Sequence, residues 1–76
     1  MLRLYQLDQC PSCARVRDLL LELDLACELV EIDPADRSEV ERLSGQPWVP
    51  LLVDTAADVV LPESTDIIAY LRARYA

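Results

Sequence analysis

Leu2-Arg3-Leu4-Tyr5-Gln6-Leu7, then Asp8-Gln9, then Cys10-Pro11-Ser12-Cys13, is the stretch on which the fold turns. Its first six residues are apolar enough on both alternating faces to be a buried central strand. Asp8-Gln9 ends that strand. From Ser12 to Leu25 the apolar residues Val16, Leu19, Leu20 and Leu23 recur at one-turn spacing with Arg15, Asp18 and Glu22 between them, the pattern of an amphipathic helix. Pro11 falls at the first helical position, where its missing N–H costs nothing. Cys10 therefore stands at a helix N-terminus, directly after a strand.

Working outward, Cys27 to Asp33 is a second strand, and Glu28 and Glu31 are the charges a sheet-edge strand carries against aggregation. Pro34 ends it. Asp36 to Leu43 is mostly polar, with Val40 and Leu43 facing inward, so it reads as a short surface helix stopped by Gly45. Leu51–Asp54 and Asp58–Leu61 are short apolar runs around Thr55-Ala56-Ala57, a hairpin whose turn lacks glycine. Ser64 is expected to cap a last helix with Ile67, Ile68, Leu71 and Tyr75 inward and Asp66 in the first turn, where the helix dipole favours an anion. The order is β-α-β-α-β-β-α. A β-α-β opening needs a parallel pair with a right-handed crossover, and the closing hairpin must join antiparallel. The expected fold is α/β, thioredoxin-like, a mixed four-stranded sheet flanked by three helices and formed by residues 1–76 as one domain; the order alone leaves other α+β sandwiches open, and the residues at the joints close the choice.

Composition narrows the function. Seventy-six residues, 53% of them apolar, hold one core and no second domain. A chain of this size buries only about 60% of the surface its unfolded form exposes, so a staple would help. Cys10 and Cys13 are a poor staple, because closing a four-residue loop stabilises by only about 2 kcal/mol before strain. Fourteen Asp and Glu against seven Arg give a formal charge of −7, which argues against nucleic acid and against an anionic membrane surface as partners. There is no basic leader, no small-residue cleavage site and no apolar run near 18 residues. Three cysteines without such a leader fit a reducing, cytoplasmic setting, where Cys-x-x-Cys serves chemistry more often than architecture.

That chemistry follows from position. Unpaired N–H groups and the positive end of the helix dipole stabilise a thiolate at Cys10, while Cys13, one turn further in, is better shielded. Cys10 is then the attacking sulfur and Cys13 the resolving one. A zinc site would need two further ligands, and with no histidine and only Cys27 left the usual sets cannot be completed within the chain, so no metal is expected. Cys27 reads as a small buried hydrophobe at a strand start. Val49-Pro50 ahead of the third strand is a candidate cis peptide, since cis bonds are nearly confined to X-Pro, and a plain strand-initiating proline is the other reading. In the cis form Val49 would offer backbone N–H and C=O groups to an extended tripeptide. Glu63 and Ser64 open the last helix, where free N–H groups suit a carboxylate and Glu63 suits an amine. Trp48 reads either as a lid over the site or as ordinary packing.

These pieces together resemble the glutaredoxins, most closely the glutathione-transferase-like kind whose N-terminal domain carries Cys-Pro-x-Cys. The residues that carry the resemblance span nearly the whole chain: Tyr5, Cys10-Pro11-Ser12-Cys13, Gln46 to Leu52 with Val49-Pro50, and Leu61-Pro62-Glu63-Ser64-Thr65-Asp66-Ile67-Ile68 followed by Tyr70-Leu71. The resemblance implies that Cys10 forms a mixed disulfide with glutathione. By the same match, Val49 and Pro50 would hold the tripeptide's cysteinyl backbone, and Glu63 and Ser64 its γ-glutamyl end. Two residues depart from the family pattern: Ser12 stands where Tyr is usual, and Leu7 where Lys or Arg is common. The helical domain that follows this kind of N-terminal domain is not in the sequence.

The expected activity is a glutathione-dependent thiol–disulfide oxidoreductase reducing protein or glutathione mixed disulfides, with glutathione as reductant and disulfide-containing proteins as partners. Three other readings are weighed beside it. One is a non-catalytic glutathione- or peptide-binding module, suggested by Leu7 and Ser12. Another is a redoxin reset by a thioredoxin reductase. The last is an iron–sulfur carrier shared by two chains, opposed by the competing disulfide.

Overall fold

The computed structural model describes residues 1–76. Its elements run β1 (Leu2–Gln6), α1 (Pro11–Glu22), β2 (Cys27–Glu31), α2 (Ser38–Ser44), β3 (Leu51–Asp54), β4 (Val59–Leu61) and α3 (Ser64–Tyr75). The sheet order is β2-β1-β3-β4, with β1 and β2 parallel and the pairs β1/β3 and β3/β4 antiparallel. The expected mixed four-stranded sheet and its three helices are all present. β1 is interior, and β2 with its two glutamates lies on an edge. No helix is long and apolar enough to cross a membrane.

Alternation along the strands sorts the core into two clusters. Leu2 and Leu4 of β1 and Leu52 of β3 face α1 and α3, joining Val16, Leu19, Leu20, Ile67 and Leu71. Tyr5 and Leu51 point the other way and meet Ile32 and Val40, the latter from α2. Gln6 and Asp54 share the first face, which sets polar groups among apolar ones. Asp54 is fully buried, and four groups satisfy its carboxylate. The phenols of Tyr70 and Tyr75 donate to Oδ2 at 2.7 and 2.5 Å, Ala56 N–H donates to Oδ1 at 3.1 Å, and Arg74 Nε lies 3.6 Å away. Burial pushes its pKa up, but these donors outweigh it and hold the group below the ordinary carboxylate value. Burial and the same carboxylate push the Tyr70 phenol up to about 12. The cluster fastens α3 to β3.

Several boundaries differ from the expectation, each for a local reason. α1 stops at Glu22 rather than Leu25, because Asp24 adopts a left-handed conformation (φ 54°). Its N–H donates to Leu21 O at 3.1 Å and Leu25 N–H to Leu20 O at 3.0 Å, a Schellman closure with Asp where glycine is usual. Leu25 then packs back on the core. α2 begins at Ser38, since the Asp36 carboxylate accepts from Ser38 N–H (3.2 Å) and Oγ–H (2.6 Å) just ahead of it. Gly45 ends α2 at φ 80°, as expected. β2 closes at Glu31, and β4 starts at Val59 because Asp58 (φ 56°) supplies the positive φ that the glycine-free hairpin needs. Ser64 is not the cap of α3. Glu63 occupies that position and makes no side-chain capping bond.

Candidate functional site

Cys10 is the N-cap residue of α1, in extended conformation, and Pro11 opens the helix. Its backbone N–H donates to Leu7 O at 3.1 Å and its carbonyl accepts from Ala14 N–H at 3.0 Å. The sulfur does what a serine or aspartate oxygen does at most N-caps: Cys13 N–H donates to Cys10 Sγ at 3.3 Å. Cys10 is half-buried, Cys13 buried, and both are free thiols. Burial pushes the Cys10 thiol up; hydrogen bonds from the Cys13 side chain and from the Cys13 and Ser12 backbone, with the positive charge of Arg17, more than offset it, so its pKa lies below the ordinary value. Burial, with the Cys10 sulfur beside it, pushes Cys13 up to about 12. The two sulfurs are adjacent and electrostatically opposite.

The positive charge at Cys10 comes from Arg17. Arg17 lies one turn deeper on α1 and reaches back along the β1–α1 connection. Its Nη1 donates to Gln6 Oε1 and, at 3.4 Å, to Leu7 O; its Nη2 donates to Asp8 O at 3.2 Å. Gln6, 3% exposed, passes the contact on: Nε2 donates to Glu31 Oε1 at 2.9 Å and to Asp8 Oδ1 at 3.3 Å. Glu31 Oε2 accepts from Asp8 N–H at 3.2 Å. Only a polar residue in β1 and an Arg seven residues after the first cysteine hint at this network in the sequence.

Register places the other candidates. Continuing the β1/β3 pairing one step beyond Tyr5↔Leu51 sets Pro50 opposite Gln6, and continuing the β3/β4 pairing two steps beyond Leu52↔Leu61 sets Pro50 opposite Glu63. Val49, Pro50, Glu63 and Ser64 therefore gather at the sheet end from which the chain enters Cys10. The Val49-Pro50 bond is cis. Val49 makes no backbone hydrogen bond within the chain, and the N–H groups of Ser64, Thr65 and Asp66 at the head of α3 are likewise unpaired. Pro50 is buried, Ser64 half-buried and Glu63 exposed. None of these four lines the cleft of about 410 Å³ that opens at Cys10, which Leu7, Asp8, Gln9, Glu31 and Pro34 complete on the β2 side.

Two remaining residues resolve differently from the first two sets. Trp48 is 55% exposed and belongs to neither core cluster. Cys27 is half-buried beside the first cluster, and burial pushes its thiol up to about 11. No group of three or more Cys, Asp or Glu side chains is arranged to hold a metal ion.

Residues 4–76 match the family model described as glutathione S-transferase, N-terminal domain. Glutathione transferase E6 from Drosophila melanogaster superposes with a TM-score of 0.90 and 35% identity, covering 100% of this chain and 36% of that one. Glutaredoxin 2 from Salmonella typhimurium, solved in complex with glutathione, superposes with a TM-score of 0.87 and 32% identity, covering 93% of this chain and 32% of that one. Prostaglandin E synthase 2 from Mus musculus is 37% identical over 73 residues, 93% of this chain and 19% of that protein. The chain thus spans about a third of these solved structures and about a fifth of the mouse protein. With a thioredoxin-like sheet, a thiol at the head of α1 and a family match over nearly its whole length, the chain belongs to the glutathione S-transferase N-terminal domain family.

Proposed function

We propose that this domain is a glutathione-dependent thiol–disulfide oxidoreductase working through Cys10 and Cys13, in the manner of a glutaredoxin. The observation that carries the reading is the contrast between the two sulfurs: one half-exposed with a lowered pKa, the other buried with a pKa of about 12. The glutathione bound to the Salmonella glutaredoxin supports the ligand.

In the first step Cys10 Sγ⁻ attacks the glutathione sulfur of a mixed disulfide. A Cys10–glutathione disulfide forms, and the protein substrate leaves as a thiolate that takes a proton. A second glutathione thiolate then attacks the bound glutathione sulfur, releasing oxidised glutathione and restoring Cys10 Sγ⁻. Cys13 offers the competing exit, an attack on Cys10 that expels reduced glutathione. With a pKa of about 12, Cys13 is almost wholly protonated near neutrality. Loss of the charge on Cys10 in the mixed disulfide removes part of that restraint, but the burial persists. Free glutathione, with an ordinary thiol pKa of about 8.5, therefore supplies more thiolate for the second step. Val49 backbone groups, Pro50, Glu63 and Ser64 are proposed to hold the tripeptide, its γ-glutamyl carboxylate at the unpaired N–H groups of α3 and its amine at Glu63.

The test is turnover of a peptide–glutathione mixed disulfide coupled to glutathione reductase. Cys10→Ser abolishes it, whereas Cys13→Ser retains most of it because glutathione resolves the intermediate. Full activity in Cys10→Ser ends this reading. The relatives named as glutathione transferases favour a second one, in which the site orients glutathione's own thiolate toward an electrophile. Equal rates of conjugation to a chloronitrobenzene by the parent and Cys10→Ser, with no disulfide reduction, would select it.

A further inference from the structure

The β1–α1 connection carries the candidate nucleophile, yet residues 7–10 have no strand or helix to hold them. Side chains hold them, with one guanidinium at the centre. Arg17 takes three acceptors at once, Gln6 Oε1, Leu7 O and Asp8 O, and so closes two carbonyls of the turn that leads into Cys10. The same Leu7 O accepts from Cys10 N–H, so the contact is two bonds from the sulfur-bearing residue. Arg17 is held in its turn by the buried amide of Gln6, whose Nε2 is anchored on Glu31 of the edge strand. Glu31 also takes Asp8 N–H. Helix α1, strand β1 and strand β2 therefore each contribute one side chain to fixing a segment that has no backbone ladder of its own.

We propose that Arg17 is a positioning residue for Cys10, acting through the Leu7–Gln9 turn it clamps, with Gln6 and Glu31 as the struts that hold the clamp. The planar fork of an arginine is what the geometry uses: two terminal nitrogens meet carbonyls at adjacent residues while one of them also reaches a side-chain amide. A lysine keeps the charge but is a single point and cannot close all three contacts. Charge and placement are separable on this ground. The charged groups around Cys10 are Arg17 on α1, Asp8 in the turn and Glu31 on β2, with the Cys13 thiol beneath it.

The inference rests on Cys10 being the reactive thiol of the proposed function, and its test separates the two. The probe is iodoacetamide, with labelling rates read at each cysteine by mass spectrometry across pH in the parent, Arg17→Lys and Arg17→Met, beside amide hydrogen exchange at Asp8 and Cys10. Arg17→Met is expected to slow labelling of Cys10 near neutrality by roughly five- to tenfold, as loss of a nearby charge at an intermediate effective dielectric would. Arg17→Lys is expected to slow it by about threefold and to speed exchange of both amides by about tenfold, because the turn is released while the charge stays. Arg17→Lys matching the parent in labelling and exchange would overturn the proposal, leaving charge alone. An unchanged Arg17→Met would overturn it outright. A parent Cys10 that labels no faster than Cys27 at neutral pH would instead strike the proposed function, and the clamp would then have no nucleophile to position.

Discussion

Replacing Asp54 with Asn removes one charge from the interior and changes almost no volume. Two phenols donate to that carboxylate, and a hydrogen bond to an ionised acceptor contributes about 1.5–3 kcal/mol against about 0.5–1.5 for a neutral one. Each phenol then loses about 1 kcal/mol, while the contribution of the solvent-screened Arg74 is small. Relief of the burial cost of the charge offsets part of this sum. The expected net loss for Asp54→Asn at neutral pH is about 2 kcal/mol, or roughly 10 °C in Tm for a domain of this length. Asp54 has a folded-state pKa below its unfolded value, so between the two the folded state binds fewer protons than the unfolded one. Its contribution is present above the ordinary carboxylate value of 3.8 and is lost as pH falls through the folded pKa. Urea unfolding of parent and variant from neutral to acidic pH should show the gap narrowing in acid, where the parent's Asp54 is also neutral. A variant as stable as the parent at neutral pH, or a gap that does not change with pH, would refute the account of this cluster.

Other expectations are more local. Glu63→Gln should raise the KM for glutathione about tenfold by removing the proposed charge-assisted bond to its amine, with kcat and the Cys10 labelling rate little changed; steady-state kinetics at varied glutathione checks it. Gly45→Ala should cost about 1 kcal/mol from the left-handed backbone alone, because a Cβ there meets nothing within 4 Å, and disulfide turnover should be unaltered. Leu52→Ala, in the fully buried centre of the first cluster, should cost about 2–5 kcal/mol by chemical denaturation, the range set by how far the cavity collapses.

The periodicities that made β1, α1 and α3 legible are long-range consequences of a buried face, and they survive unchanged in the structure. What sequence missed is made of single polar contacts. Asp24 and Asp58 take left-handed conformations that glycine usually supplies, so the expected α1 ran on by three residues and the expected β4 started one residue early. Ser64 looked like a cap by residue type, but the chain turns one residue sooner and Glu63 stands there. Asp54 read as the end of a strand, and its role depends on two tyrosines some sixteen and twenty-one residues on. At the candidate site, position relative to the helix head was enough to nominate Cys10 and to separate it from Cys13. The cation beside Cys10 was not legible, since Arg17 is farther from the cysteines in sequence than Arg15 and its guanidinium reaches back along the connection only in the fold.

The central claim is that Cys10 is an acidic thiol, capped by the head of α1 and steadied by Arg17. Its most direct measurement is the pH dependence of iodoacetamide labelling at each cysteine of the parent protein. The account predicts a midpoint for Cys10 below the ordinary thiol reference of about 8.5, with Cys13 and Cys27 labelling only at far more alkaline pH. A Cys10 midpoint at or above that reference would contradict it.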